Sequence, residues 1–165
     1  MKVMLMSAWK RSAWRRGATA FVILLLTACA STPEADPLRD AEAKRFEAVT
    51  RDSVIYVYRP DGGTGTAETT LWADGRLVGV SLPQTFFRVI VLPGKTLLDT
   101  SGPDNGRIEI TTQGNDVTYV EMRAFDNQSP RSRFRLMTAE DAQAAIRACC
   151  TRLEVWRPGQ PRLLW

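Results

Sequence analysis

Apolar and polar positions alternate with period two through most of the chain from Asp52 to Thr138, the pattern of half-buried strands. In "SVIYVYRP", Ile55 and Val57 share one face and Tyr56 and Tyr58 the other, and Pro60 ends the run. "TTLWADGRLVGV" (69–80) places Asp74-Gly75 between two apolar runs, and that pair accepts the positive φ angles of a two-residue hairpin. "QTFFRVIVLPGK" alternates Phe87, Val89 and Val91 with Phe86, Arg88 and Ile90, then turns at Pro93-Gly94. "TLLDTSG", "GRIEITTQG" and "DVTYVEMRAF" follow between Gly, Asp, Asn and Pro clusters. In "RSRFRLMT", Phe134 and Leu136 face one way and three arginines the other. About seven to eight short strands without β-α-β alternation predict an all-β fold, mainly an antiparallel sandwich.

Helical spacing enters at the edges of this body. Thr138 is a good N-cap, Glu140 and Asp141 suit the first turn, and Ala142, Ala145, Ile146 and Cys149 recur at helical intervals, which predicts one short C-terminal helix near 139–150. A short strand "RLEVW" follows, and residues 157–165 read as a loosely ordered tail. On the N-terminal side, "LRDAEAKRFEAV" (38–49) has helix-forming composition and is either a short helix or a stem. The small, polar, Pro-containing "ASTPEADP" (30–37) reads as a tether. As a flexible coil, some 20 residues of stem reach roughly 25 Å. The resulting organisation is 1–28 leader, 29–50 tether or helix, 51–156 sandwich with its helix, and 157–165 tail.

The leader is a positive region to Gly17, an apolar run from Ala18 to Leu26, and then Thr27-Ala28. That is secretory signal architecture, and the run is too short for a permanent transmembrane helix. Leu26-Thr27-Ala28-Cys29 resembles the bacterial lipobox, with Leu at −3, small residues at −2 and −1 and Cys at +1. The resemblance implies cleavage between Ala28 and Cys29 and two or three acyl chains, palmitate among them, on Cys29. One myristoyl chain, at about 0.8 kcal/mol per buried methylene, gives only marginal binding, so stable attachment takes at least two signals. Ala30, in place of an inner-membrane-retaining Asp, favours the outer membrane. Trp14-Arg15-Arg16 lacks the surroundings of a twin-arginine signal and reads as an ordinary basic flank, and Met1, Met4 or Met6 each suit a start.

Charge changes its meaning once the leader is set apart. Lys2, Lys10, Arg11, Arg15 and Arg16 precede Cys29 without any acid, so 22 basic residues less these five leaves 17 against 18 acidic ones. A body near neutrality has no electrostatic footprint for a phosphate backbone, and no nucleic-acid partner is expected.

The order of "YVYRP" (56–60), "WADGRLVG" (72–79), "LPGK" (92–95) and "VTYVEMR" (117–123) is similar to that in a family of bacterial lipoproteins carrying a domain of unknown function. The resemblance covers roughly residues 53–150 and implies a small sandwich. It supplies no catalytic residues, because the shared motifs are turns and core strands.

The chain has no histidine, which removes His-based triads and most zinc sites, and neither metal nor cofactor is expected. No Ser sits in a Gly-x-Ser-x-Gly elbow, and "DGGTGT" (61–66) lacks the Lys-Ser/Thr of a phosphate loop. Glu140-Asp141 is the closest carboxylate pair, and a helix N-terminus explains it better than glycoside chemistry. Cys149 and Cys150 are either free thiols, with Cys149 buried beside Ile146 and Cys150 half-exposed, or members of a vicinal or intermolecular disulfide. The free-thiol reading is favoured, since bridging neighbours demands an unusual backbone. Trp72 and the tyrosines read as core, whereas Trp156 and Trp165 are candidates for an exposed binding surface. The expectation is a non-enzymatic outer-membrane lipoprotein facing the periplasm, binding or scaffolding an envelope protein or cell-wall polymer. The alternative is a cell-wall carbohydrate binder or hydrolase using carboxylates and tryptophans.

Overall fold

Strand β1 (Ser53–Arg59) is buried along its entire length, so both of its faces need cover. It pairs antiparallel with β4 (Thr85–Val91) and parallel with β7 (Val117–Ala124) at the centre of a five-stranded sheet. That sheet runs β8-β7-β1-β4-β9, with β8 (Ser132–Met137) and β9 (Thr151–Arg152) at its edges. A second sheet runs β3-β2-β5-β6, from β2 (Thr69–Ala73), β3 (Arg76–Ser81), β5 (Gly94–Thr100) and β6 (Arg107–Thr112). The computed structural model describes residues 32–60, 68–100, 106–125 and 132–155, and within these the chain is an all-β sandwich of nine strands with two short helices. No helix among the described residues is long and apolar enough to cross a membrane.

The period-two faces of β1 resolve as the alternation predicts. Ile55 and Val57 point between the sheets and join Leu71, Val78, Phe87, Leu98, Val120, Met122 and Leu153 in one core cluster. Val54, Tyr56 and Tyr58 point outward into a second cluster beneath the helices, with Phe46, Phe86, Tyr119, Ala142, Ile146 and Cys150. The first sheet is therefore the middle layer of three. Tyr56 is the hub of the outer cluster: it stacks on Tyr119 at 5.5 Å and meets Phe46 edge-on at 5.2 Å.

Local signals explain the hairpins and helices. Asp74 and Gly75 both have positive φ (50° and 70°), as the two-residue turn requires, and the Asp74 carboxylate accepts the Leu97 N–H at 2.8 Å. Helix α2 (Ala139–Cys149) starts at Thr138, whose hydroxyl accepts the Asp141 N–H, and it buries Ala142 and Ile146. Helix α1 (Pro37–Ala43) opens with Pro at its first turn and Asp36 as N-cap. It is shorter than the composition of residues 38–49 suggests. Phe46 takes φ 58°, leaving the helical path so that its ring reaches Tyr56 and Tyr119.

Two pairings in this mainly antiparallel fold, β1/β7 and β4/β9, are parallel. Two further expectations are corrected. Leu136 does not share the burial of Phe134: β8 is an edge strand, and Leu136 is left exposed near its end. The tether is also shorter than its composition implies, since the chain from Thr32 onward is fastened to the sandwich.

The inter-sheet core sets a clear stability contrast. Leu98→Ala, at a fully buried position, is expected to cost about 2–5 kcal/mol, whereas Leu92→Ala, at a turn position 78% exposed, should stay within about 0.5 kcal/mol. Urea midpoints of the two variants check this.

Candidate functional site

Residues Thr32–Asp36 close one open side of the sandwich, bonding to edge strand β3 of one sheet and to edge strand β9 and its continuation in the other. Thr32 is buried, and its hydroxyl accepts the Val80 N–H of β3 at 2.6 Å. The Pro33 carbonyl accepts the Glu154 N–H at 2.9 Å, and the Ala35 N–H donates to the Arg152 carbonyl at 2.8 Å. Glu34 forms an antiparallel bridge with Leu153 between these two bonds. The short stretch thus satisfies backbone groups on both edges that would otherwise lie open. A Cβ on Gly79 would come within 2.9 Å of the Phe87 ring and 3.1 Å of the Thr32 methyl, so glycine lets the segment lie close against β3.

An ionic network fixes helix α1 to the same seam. Asp40 accepts the Arg152 backbone N–H at 2.8 Å and pairs with Lys44 at 2.8 Å. The Arg152 guanidinium donates to the Arg39 carbonyl at 2.9 Å, and Arg39 pairs with Glu154. The Arg152 Nε is buried and has no hydrogen-bond partner among the described residues. Burial first, and the Arg39 charge after it, hold the Arg152 guanidinium below its ordinary pKa. Next to this, Tyr56 donates its hydroxyl proton to the Ala43 carbonyl at 2.7 Å and accepts from Arg88 Nε at 3.2 Å. Arg88 also donates to the Glu47 carbonyl, clamping the chain that leaves α1.

A second polar cluster crosses the other half of the first sheet. Glu121 is only 5% exposed, yet it pairs with Arg123 and with Arg135 and lies 3.5 Å from the Tyr58 hydroxyl, which donates to it. Tyr58, Glu121 and Arg135 are register neighbours on β1, β7 and β8, so sheet pairing itself assembles the cluster. Burial, reinforced by the Glu121 charge, pushes the Tyr58 hydroxyl up to about 12.

The sequence-predicted residues fall into three groups. Ala28, Cys29, Trp156 and Trp165, like the "DGGTGT" loop, lie outside the described residues. Glu140 and Asp141 sit in the first turn of α2, where the Asp141 carboxylate also accepts the Thr138 hydroxyl proton at 2.8 Å, the capping role. Trp72 is half-buried on β2 with its Nε1 enclosed and without a partner among the described residues. Cys149 and Cys150 form a vicinal disulfide, not the favoured pair of free thiols, and their burial is the reverse of the expected one. Cys150 is the buried member because it has already left the helix: as C-cap it is extended (φ −120°, ψ 137°), which turns its side chain under α2. No group of three or more His, Cys, Asp or Glu side chains among the described residues is arranged to hold a metal ion. The seam itself escapes sequence reasoning, because a single bridge and one threonine hydroxyl leave no periodicity. The one available signal is the Thr-Pro-Glu-Ala-Asp-Pro run leading directly into an N-cap.

No family model matches the chain, and no solved structure matches it. The chain is similar to an uncharacterized protein of Haemophilus influenzae, 30% identical over 102 residues. That stretch makes up 60% of this chain and 60% of the relative's own length.

The Tyr58 environment gives the site a pH signature. Its folded pKa is raised above the ordinary tyrosine value of 10.0, so the stabilisation is fully present below about pH 10 and is lost as pH rises towards about 12. Unfolding free energy should therefore fall across that window. The decline should be shallower in Tyr58→Phe, as read from denaturant midpoints at pH 9 and pH 11.5.

Proposed function

We propose that the chain is a bacterial outer-membrane lipoprotein, acylated at Cys29 and facing the periplasm, whose sandwich is a non-enzymatic binding or scaffolding module. The observation that carries this reading is the position of the cleavage site relative to the fold. Both core clusters of the described residues lie beyond Cys29, and Thr32, three residues after Cys29, is already bonded to β3. A leader with a basic region, an apolar run and a lipobox-like end thus precedes the described body by only a few residues.

The non-enzymatic part of the proposal rests on how the ionisable groups are used. Asp40, Glu154 and Glu121 are engaged with arginines, Asp141 with the helix cap, and Lys95 with Glu109. Each of these groups makes a contact that joins one structural element to another or finishes one, Glu121 by reaching Arg135 of β8 as well as Arg123 of its own strand. The partner is bilayer lipid through Cys29, and beyond it an envelope protein or cell-wall polymer.

Anchoring has a direct test. The natural chain should incorporate labelled palmitate and sediment with outer membranes, and Cys29→Ser should do neither. A Cys29→Ser protein that still carries label and still sediments would contradict the proposal.

A further inference from the structure

The length of chain between the proposed anchor and Thr32, the first described residue, decides how the body stands on the membrane. Three peptide units separate Cys29 from Thr32, a span of at most about 11 Å when fully extended. Thr32 is not a point from which a flexible stem departs: it is buried against Gly79 and bonded to the Val80 N–H. The next residues cannot be paid out as slack either. Pro33 and Ala35 are held by backbone bonds to Glu154 and Arg152, and Asp36 caps α1.

We infer that the side of the sandwich closed by Thr32–Asp36, between β3 and β9, is seated on the phospholipid surface, giving the protein one fixed orientation on the bilayer. The inference rests on the reading of Cys29 as acylated. Acyl chains inserted at Cys29 bring the lipid headgroups within that short span of the seam, and the seam is the part of the body that meets them. Pro33, Glu34, Asp36, Pro37 and Leu38 are its exposed side chains, the ones this orientation brings to the headgroup layer.

The register of β4 identifies what points away. The seam lies along its first half, where Thr85 and Phe86 pair with β9 and the Phe87 ring, like the Thr32 methyl, lies against Gly79. The far end of the same strand, Val91, pairs with Ser53, and the Leu92-Pro93 turn and the turn at Asn115 gather there. Five residues of strand from Phe87 to Leu92 are about 17 Å. These turns are the end presented to the periplasm and to a soluble envelope partner.

The test compares fluorophores on Glu34→Cys and Leu92→Cys, both exposed positions, with the Cys149–Cys150 pair kept oxidised. Full-length processed lipoprotein is reconstituted in phosphatidylethanolamine–phosphatidylglycerol vesicles containing a headgroup-spin-labelled lipid, and Cys29 acylation is verified by intact mass. The Glu34 probe should be quenched several-fold more than the Leu92 probe. Inserting about 20 Gly-Ser residues between Ser31 and Thr32, a coil reaching about 25 Å, should erase the difference. Equal quenching at both positions without the insertion, on acylated protein, would overturn the seated orientation and leave the anchor standing. An unmodified Cys29 would instead overturn the anchor, and the orientation with it.

Discussion

Two sheet edges have to be closed before this sandwich is complete, and one short piece of chain closes both. Edge strands expose rows of unpaired N–H and C=O groups, which proteins cover or blunt to avoid pairing with other chains. Here Thr32 covers β3 through the Val80 N–H, while Pro33 and Ala35 extend the pairing of β9 on the opposite sheet. The same five residues hold α1 in place, because Asp36 caps it and the Asp40, Arg39 and Arg152 contacts fasten it to β9. With α1 placed, Phe46 and Ala43 reach the outer face of β1 and Tyr56 finds its acceptor. The outer cluster therefore depends on a segment whose composition resembles a linker.

Burial of β1 on both faces follows from that arrangement and carries a polar cost, which the structure meets residue by residue. Tyrosines rather than leucines face the helices, and each hydroxyl has a partner: Ala43 and Arg88 for Tyr56, Gln143 for Tyr119, Glu121 for Tyr58. Burial raises the pKa of all three hydroxyls, so they remain neutral and their rings pack as apolar surface. Among the described residues Glu121 is the one buried carboxylate drawn into this layer, with Arg123 and Arg135 flanking it. Removing one member of such a group would strand the others, which is a structural reason for the set to persist together.

Much of this was legible in the residues because short-range chemistry writes itself into short-range pattern. Alternation in "SVIYVYR" separated the two faces of β1 correctly, Asp74-Gly75 gave the hairpin, and Thr138 gave the start of α2. What escaped was long-range. The parallel pairing of Val54 with Val117 joins strands far apart in sequence, and no local periodicity reports it. Phe46 leaves the helical path because a distant ring, Tyr56, rewards it. Cys149 and Cys150 show the reverse of the burial that helical spacing predicts, because the helix ends at Cys149 and Cys150 is extended. The candidate anchor was readable for the converse reason: targeting signals are recognised as linear chain, so the basic flank and Leu-Thr-Ala-Cys stand in plain sequence.

The account turns on whether the segment ahead of α1 belongs to the folded body. Residue-resolved hydrogen exchange on the natural chain reads this directly through three amides, those of Ala35, Val80 and Glu154, which donate across the seam. The Leu153 amide, bonded to the Phe86 carbonyl inside the first sheet, is the internal standard. A docked seam predicts that all three exchange as slowly as Leu153, opening only with the whole domain. Exchange of the three at the rates of exposed peptide, with Leu153 still protected, would show a free linker there and contradict the account.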